Sequence, residues 1–97
     1  MQGSEKQIKW AEDIKAGAFA EIEAMKRNRQ RFDDAEGKRN NNLYPVTWEA
    51  IETVEIDLKK TFAVIDKAAD LIDKRHYFTS GKIRQMAEAV TAQMAKA

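Results

Sequence analysis

Residues 47–75 read TWEAIETVEIDLKKTFAVIDKAADLIDKR, and this stretch decides the fold. Its apolar side chains recur every three or four residues, which is the period of one face of an α-helix. The main stripe consists of Ile51, Val54, Leu58, Phe62, Ile65, Ala69 and Ile72, and a second apolar row (Val64, Ala68 and Leu71) accompanies its second half. Thr47 is the predicted N-cap. We therefore predict one helix over residues 47–75 whose second half is apolar on two sides.

A helix is predicted on each side of this stretch. Ser4 and Gln7 have the spacing of a capping box, and a stripe of Ala11, Ile14, Ala18, Ile22 and Met25 follows them. Gly37 and the polar residues after it predict the end of this helix, which places it over residues 4–36 with a loop over 37–46. Thr79 or Ser80 begins a third helix over residues 80–96, with the stripe Ile83, Met86, Ala87, Val90 and Met94.

These lengths predict an all-α fold, with residues 1–97 as a single helical domain. At 1.5 Å per residue the three helices span roughly 50, 40 and 25 Å. We expect an antiparallel helical hairpin of two long helices with a shorter third helix packed on one end. The core of that closed end is predicted to hold Trp10, Ile14, Val64, Leu71, Ile83, Met86 and Val90. The opposite, hairpin end is expected to stay open because the third helix is too short to reach it.

Composition argues against catalysis. The 97 residues include no cysteine and one histidine, so disulfides, cysteine-ligated zinc and thiol catalysis are excluded. The chain also has no glycine-rich phosphate loop and no nucleophile motif. We expect no catalytic residue, no metal site, no cofactor and no small-molecule substrate. No apolar run approaches the roughly 18–20 residues of a membrane span, so a cytoplasmic protein is expected.

The open hairpin end supplies the candidate binding residues. Aromatic and apolar side chains lie there among cations, the usual composition of the anchors in protein interfaces. The candidate partner-binding set is Arg27, Arg31, Phe32, Lys38, Arg39, Leu43, Tyr44 and Trp48. Two interpretations remain open for the apolar members. They either fold back and close the hairpin, or they bind a second copy of the chain or a foreign protein.

The basic segment of residues 26–39 suggests an alternative, a helical module that binds nucleic acid. Residues 25–44 carry six basic and three acidic groups, and Tyr44 and Trp48 lie close enough to stack on bases. The same cations also offset the negative end of a helix dipole, which explains them without a ligand. A second basic group, made of Lys74, Arg75, His76, Lys82 and Arg84 with Tyr77 and Phe78, is expected at the opposite end.

Residues 3–15, GSEKQIKWAEDIK, resemble the start of a family of small bacterial and phage proteins with the pattern GS-x-KQ-x-x-WA-x-x-I-K/R. The segment Leu71–Arg75 is similar to a later aromatic-Ile-Asp-x-Arg segment of that family, with Leu71 in the aromatic position. The family is largely unannotated, so the resemblance implies a phage or mobile-element setting but does not indicate a particular activity. Inhibitors of host defence systems, including anti-CRISPR proteins, are similar in size and in lacking catalytic motifs. The expected function is therefore binding to a protein partner, in a homodimer or as an inhibitor.

Overall fold

The computed structural model describes residues 1–39 and 46–96, except the side chains of residues 35–39 and 96. This part of the chain folds into four α-helices and a short 3₁₀ turn, with no strand among them, which confirms the all-α prediction. The helices are α1 (Glu5–Arg39), α2 (Trp48–Val64), α3 (Ala68–Asp73) and α4 (Ser80–Lys96), and the 3₁₀ turn is Arg75–Tyr77. Helix α1 continues through Gly37 to Arg39, because a single glycine weakens a helix without ending it.

The predicted caps of α1, α2 and α4 are all present. The Ser4 hydroxyl accepts a hydrogen bond from the Gln7 N–H at 3.2 Å, and the Ser4 N–H donates to the Gln7 side chain at 3.1 Å. The Thr47 hydroxyl accepts from the Ala50 N–H at 3.1 Å. The Thr79 hydroxyl accepts from the Lys82 N–H at 3.3 Å. These side chains satisfy N–H groups that have no partner within the first turn of a helix, so each start is set locally.

The prediction of one helix over residues 47–75 is wrong, because the chain leaves the helix after Val64 and re-enters one at Ala68. Ile65 and Lys67 have extended backbone angles. The backbone of Gln2 pairs with this segment in parallel orientation: its N–H donates to the Asp66 carbonyl at 2.8 Å, and its carbonyl accepts from the Ala68 N–H at 2.7 Å. Hydrogen bonds from the start of the chain thus satisfy groups that an unbroken helix would have paired internally.

Gly3 makes this pairing possible. Its φ of +147° lies in the region that side chains disfavour, and a Cβ on Gly3 would lie 3.0 Å from the Cβ of Ala68. Ala68 is fully buried at that contact. The close approach of the two backbones therefore needs both a glycine at position 3 and a small residue at position 68.

The direction of the chain reverses at the break. Helix α2 runs antiparallel to α1, since Lys26 contacts Glu55 and, further back along α1, the Phe19 and Phe62 rings lie 5.6 Å apart. After the break the contacts advance together along both segments, from Gly3 with Ala68, through Trp10 with Arg75, to Glu21 with Arg84. Residues 68–96 therefore form a third arm parallel to α1.

This reversal corrects which end of the hairpin is covered. The antiparallel hairpin of α1 and α2 is as predicted, but α4 is as long as α2, at 17 residues each. Helix α4 packs at the hairpin end, where the Thr47 N–H donates to the Thr91 hydroxyl at 3.2 Å. Residues 68–75, which the prediction assigned to the second arm, belong to the third and lengthen it. Helix α2 ends soon after Phe62, which is level with Phe19, so the first turns of α1 pack mainly against α3.

The core runs between the three arms, and its largest fully buried side chains are Ile22, Met25, Val46, Ile51, Leu71 and Ile83. Leu71 and Ile83 were predicted to be buried, and Ile14 and Val90 are half-buried. Three members of the predicted closed-end core are exposed instead: Trp10 by 48%, Val64 by 81% and Met86 by 36%. Val64 is the last residue of α2, and Trp10 lies beyond the part of α1 that α2 covers.

Candidate functional site

The hairpin end is held by three side chains, Arg29, Asp33 and Trp48, which we call the hairpin clasp. The indole N–H of Trp48 donates to Asp33 Oδ2 at 2.7 Å, and Arg29 Nη2 lies 2.8 Å from Asp33 Oδ1. Arg29 Nη1 also donates to the Val46 carbonyl at 3.2 Å. The clasp joins α1 to the start of α2 and leaves Trp48 half-buried. Trp48 therefore has a structural role within its own chain.

The clasp favours the ionised form of Asp33. The hydrogen bond from Trp48, followed by the one from Arg29, lowers the pKa of Asp33 below its ordinary value of 3.8. Burial raises this pKa, but by less than these two donors lower it. The carboxylate thus remains charged, and the cation of Arg29 is neutralised at neutral pH.

The other predicted binding residues differ in exposure, and the side chains of some of them lie outside the described residues. Arg27 and Arg31 are exposed, and Phe32 is half-buried with the Arg29 guanidinium carbon 5.1 Å from its ring centre. Lys38 and Arg39 lie in the last turn of α1, and their side chains are outside the described residues, as are Leu43 and Tyr44 entirely. The structure thus brings Phe32 and Trp48 together around Arg29. Val46 is buried beside them, whereas Trp48 also lines a groove of about 420 Å³ between the start of α2 and the end of α4, so its own chain covers the described part of the hairpin end only in part.

Ion pairs neutralise part of the positive charge of the predicted basic segment. Lys26 Nζ lies 3.2 Å from a Glu55 carboxylate oxygen on α2 and 3.3 Å from Glu23. The hydrogen bond to Glu55 is the largest cause of a raised pKa at Lys26, so this amine stays protonated. Arg29 is neutralised by Asp33 in the same way. Of the cations in residues 26–31, only Arg27 and Arg31 make no ion pair with another described residue.

A second surface lies at the opposite end, where Trp10 of α1 meets the 3₁₀ turn. The Arg75 guanidinium carbon lies 5.2 Å from the Trp10 ring centre, and Arg75 Nη1 donates to the Ile72 carbonyl at 2.8 Å. The rings of His76 and Tyr77 lie 4.1 Å apart. We call Trp10, Arg75, His76 and Tyr77 the Trp10 surface. Its two large aromatic side chains are about half exposed, Trp10 by 48% and Tyr77 by 54%.

A groove of about 430 Å³ adjoins the Trp10 surface. It lies between α1 and the segment that leads into α4, and it is lined by Asp13, Ile14, Gly17, Arg75, His76, Phe78, Thr79 and Ser80. A Cβ on Gly17 would have no atom within 4 Å, so the α1 wall is open at that point. The groove offers space beside the exposed rings for a side chain of a partner.

Charge at this end is mixed, and the cations and carboxylates that make no ion pair with another described residue are similar in number. Lys6, Lys9, Lys74 and Arg75 make no ion pair with another described residue, whereas Arg84 pairs with the buried Glu21 at 3.1 Å. Asp13 and Asp73 lie nearby along the same segments. Sequence reasoning found the basic residues and Tyr77 of this surface but missed Trp10, because Trp10 flanks the apolar stripe of α1 and was assigned to the core.

A third feature is an apolar groove of about 340 Å³ between α2 and α4, which includes Leu58, Phe78, Met86 and Val90. The described residues contain no group of three or more histidine or acidic side chains placed to hold a metal ion. In the same part of the chain, no helix combines the length and the apolar character that crossing a bilayer requires.

Comparison of the chain with protein-family models, with curated proteins and with solved structures found no match.

Proposed function

We propose that this chain is a non-enzymatic binding protein that takes a protein partner on the Trp10 surface. The observation that carries the proposal is the exposure of Trp10 and Tyr77 on either side of Arg75, where the described part of α1 packs mainly against α3 and the 3₁₀ turn. Tryptophan, tyrosine and arginine are the side chains that most often supply the binding energy of protein interfaces. Leaving an indole half in water forgoes the free energy of its burial, which a partner would recover.

The geometry of this surface also favours a partner because two of its side chains are already held in place. The bond from Arg75 to the Ile72 carbonyl and its stacking on Trp10 restrict both side chains before binding. Side chains that are ordered beforehand lose less conformational entropy on association. The remaining N–H groups of Arg75 are available to an acceptor on the partner, such as a carboxylate or a backbone carbonyl.

The hairpin end is the weaker candidate for the partner site. Trp48 and Arg29 are engaged with Asp33, and α4 reaches this end through Thr91. Arg27 and Arg31 remain exposed and retain a possible role at the margin of an interface. Their position supports the alternative of a nucleic-acid-binding module that uses the 26–39 segment, although ion pairs at Lys26 and Arg29 weaken it.

A gel-shift series separates the two functions. A nucleic-acid module would bind single- or double-stranded DNA or RNA, and its affinity would fall steeply between roughly 50 and 200 mM salt. We expect no binding to nucleic acid at either salt concentration. A steep salt dependence that Arg27→Ala and Arg31→Ala both reduce would favour the alternative and contradict binding of protein alone.

The proposed setting is a phage or a mobile element, and the proposed role is that of a cytoplasmic inhibitor that binds a component of a host defence system. The resemblance of residues 3–15 to small bacterial and phage proteins supports this setting, and the comparison with anti-CRISPR proteins is an analogy of size and composition. Within the fold, the matching residues have a physical role: Gly3 contacts Ala68, Ser4 and Gln7 cap α1, and Trp10 stacks with Arg75.

Capture of a partner from a bacterial lysate by the immobilised chain tests the proposal. We expect Trp10→Ala and Tyr77→Ala to reduce the captured partner at least tenfold while the melting temperature changes little. Ile56→Ala is the matched control, since Ile56 is 50% exposed on α2, away from the Trp10 surface. Equal capture by wild type and Trp10→Ala, with the Ile56 variant unchanged, would contradict the proposed site.

A further inference from the structure

The segment Ile65–Lys67 has a local preference opposite to the conformation that it adopts. It contains neither glycine nor proline, and Ile65 continues the helical stripe from Leu58 and Phe62 towards Ile72. Both Ile65 and Lys67 are nevertheless extended, and the chain reverses there. The sequence of this segment favours helix, whereas the fold of the whole chain requires a turn there. Such a segment has the properties of a hinge between a bent and a helical conformation of the chain.

The bent arrangement has few local supports. Lys67 occupies the N-cap position of α3 without a side-chain hydrogen bond to that helix. The Gln2 N–H donates to the Asp66 carbonyl, and the Gln2 carbonyl accepts from the Ala68 N–H. These two hydrogen bonds satisfy the backbone groups that the break exposes. Val64, at the edge of the break, is 81% exposed. The bend therefore depends on Gln2, on the packing of Ile65 against the core and on the packing of the third arm, and not on a turn-forming residue in the hinge.

The described contacts of the third arm are with α1 and α2, which a second copy of the chain also carries. Leu71 and Ile83 are fully buried in the core between the arms, Arg84 pairs with Glu21 of α1, and Thr91 accepts from the backbone of Thr47 at the start of α2. An identical α1 and α2 in another molecule would offer the same contacts. Exchange of the arm therefore conserves every one of these interactions, which makes an exchanged dimer accessible at little cost.

We propose that Ile65–Lys67 opens into helix and that two copies of the chain exchange residues 68–96. In the exchanged dimer residues 48–73 form one helix, and the third arm of each copy packs on α1 and α2 of the other. Among the described contacts, the two hydrogen bonds of Gln2 are lost and the present packing of Ile65 against the core changes. The backbone groups of Asp66 and Ala68 regain partners within the helix. Gln2 thus acts as a latch that favours the monomer. This proposal does not depend on a partner at the Trp10 surface.

The latch is tested by light scattering after size-exclusion chromatography over a range of protein concentrations. Gln2→Pro removes the N–H that donates to Asp66, and we expect it to raise the dimer association constant at least tenfold. Glu5→Pro is the matched control, because Glu5 is the first residue of α1, where proline is tolerated. The wild-type chain should dimerise when it is refolded at high concentration.

Asp66→Pro tests the hinge itself. Ile65 already has the extended angles, φ −87° and ψ 103°, that a following proline requires, whereas a continuous helix would not accept proline at this position. We expect Asp66→Pro to fold as a monomer and to abolish the dimer of Gln2→Pro in the double variant. A dimer that persists in the double variant would overturn the proposal.

Exchange is distinguished from ordinary association by a cross-link between different copies. The chain has no cysteine, so Glu21→Cys and Arg84→Cys introduce single thiols at two positions whose side chains are in contact within one copy. Mixed and refolded together, the two variants should form a cross-linked heterodimer only if the arm has crossed. If Gln2→Pro fails to fold, the same mixture in the otherwise wild-type chain decides the question. A chain that stays monomeric at high concentration, or a dimer without this cross-link, would refute exchange.

Discussion

Substitution of the glycine at position 3 provides a quantitative test of how the start of the chain is held. Gly3→Ala places a side chain on a residue with φ of +147° and brings its Cβ to 3.0 Å from that of Ala68. A non-glycine residue in such a conformation costs about 1–3 kcal/mol. The alternative is that the start of the chain detaches and the two hydrogen bonds of Gln2 are lost, which also costs about 1–3 kcal/mol in total. The smaller of the two costs sets the loss, so we expect unfolding free energy to fall by about 2 kcal/mol.

Gly17→Ala is the matched control and should have the opposite sign. Gly17 is exposed in the interior of α1, and a Cβ there would have no atom within 4 Å. Alanine in a helix interior is more stable than glycine by about 0.5–1 kcal/mol. In a domain of this size 1 kcal/mol shifts the melting temperature by about 4–8 °C. Thermal unfolding followed by circular dichroism should thus show a fall of roughly 8–16 °C for Gly3→Ala and a rise of roughly 2–8 °C for Gly17→Ala. A Gly3→Ala variant that melts with the wild type would show that the latch contributes nothing.

Three further predictions concern stability. Trp48→Ala should lower the unfolding free energy by about 2–3 kcal/mol, since it removes a half-buried ring and the hydrogen bond to Asp33, whereas Trp10→Ala should lower it by less than about 1 kcal/mol. Chemical denaturation measures both losses, and a larger loss for Trp10→Ala than for Trp48→Ala would mean that Trp10 is in the core. Asp33→Asn should destabilise the protein at pH 7, because folding lowers the pKa of Asp33 below 3.8 and the ionised carboxylate therefore stabilises the folded state. This stabilisation is complete above the unfolded-state pKa and is lost as the pH falls through the folded-state pKa, so equal losses of unfolding free energy at pH 7 and about pH 2.5 would contradict the prediction. Lys26→Ala should cost less than about 1 kcal/mol, and high salt should reduce that cost, because its bond to Glu55 is partly exposed; a loss that salt leaves unchanged would point to packing instead.

The two tryptophans show how far sequence reasoning reached at the candidate site. The place of Trp10 beside the apolar stripe of the first helix predicted a buried ring, and the expected open hairpin end predicted a binding role for Trp48. The structure has Trp10 half exposed and Trp48 bonded to Asp33. The error arose because the exposure of a residue beside the stripe depends on how far the neighbouring helix extends. That length changed when α2 ended at Val64.

The sequence by itself determined the all-helical class, the starts of α1, α2 and α4, and the antiparallel hairpin. These follow from interactions within a few residues, such as the bonds of Ser4 with Gln7 and of Thr47 with Ala50, and from a periodicity that any buried helix must show. Only the tertiary structure decided the break after Val64, the direction of the third arm and therefore which end of the molecule is exposed. The break depends on hydrogen bonds from Gln2, more than sixty positions away in the chain, and on the contact of Gly3 with Ala68. No local pattern encodes such a pairing, because both segments acquire their partner only when the chain is folded.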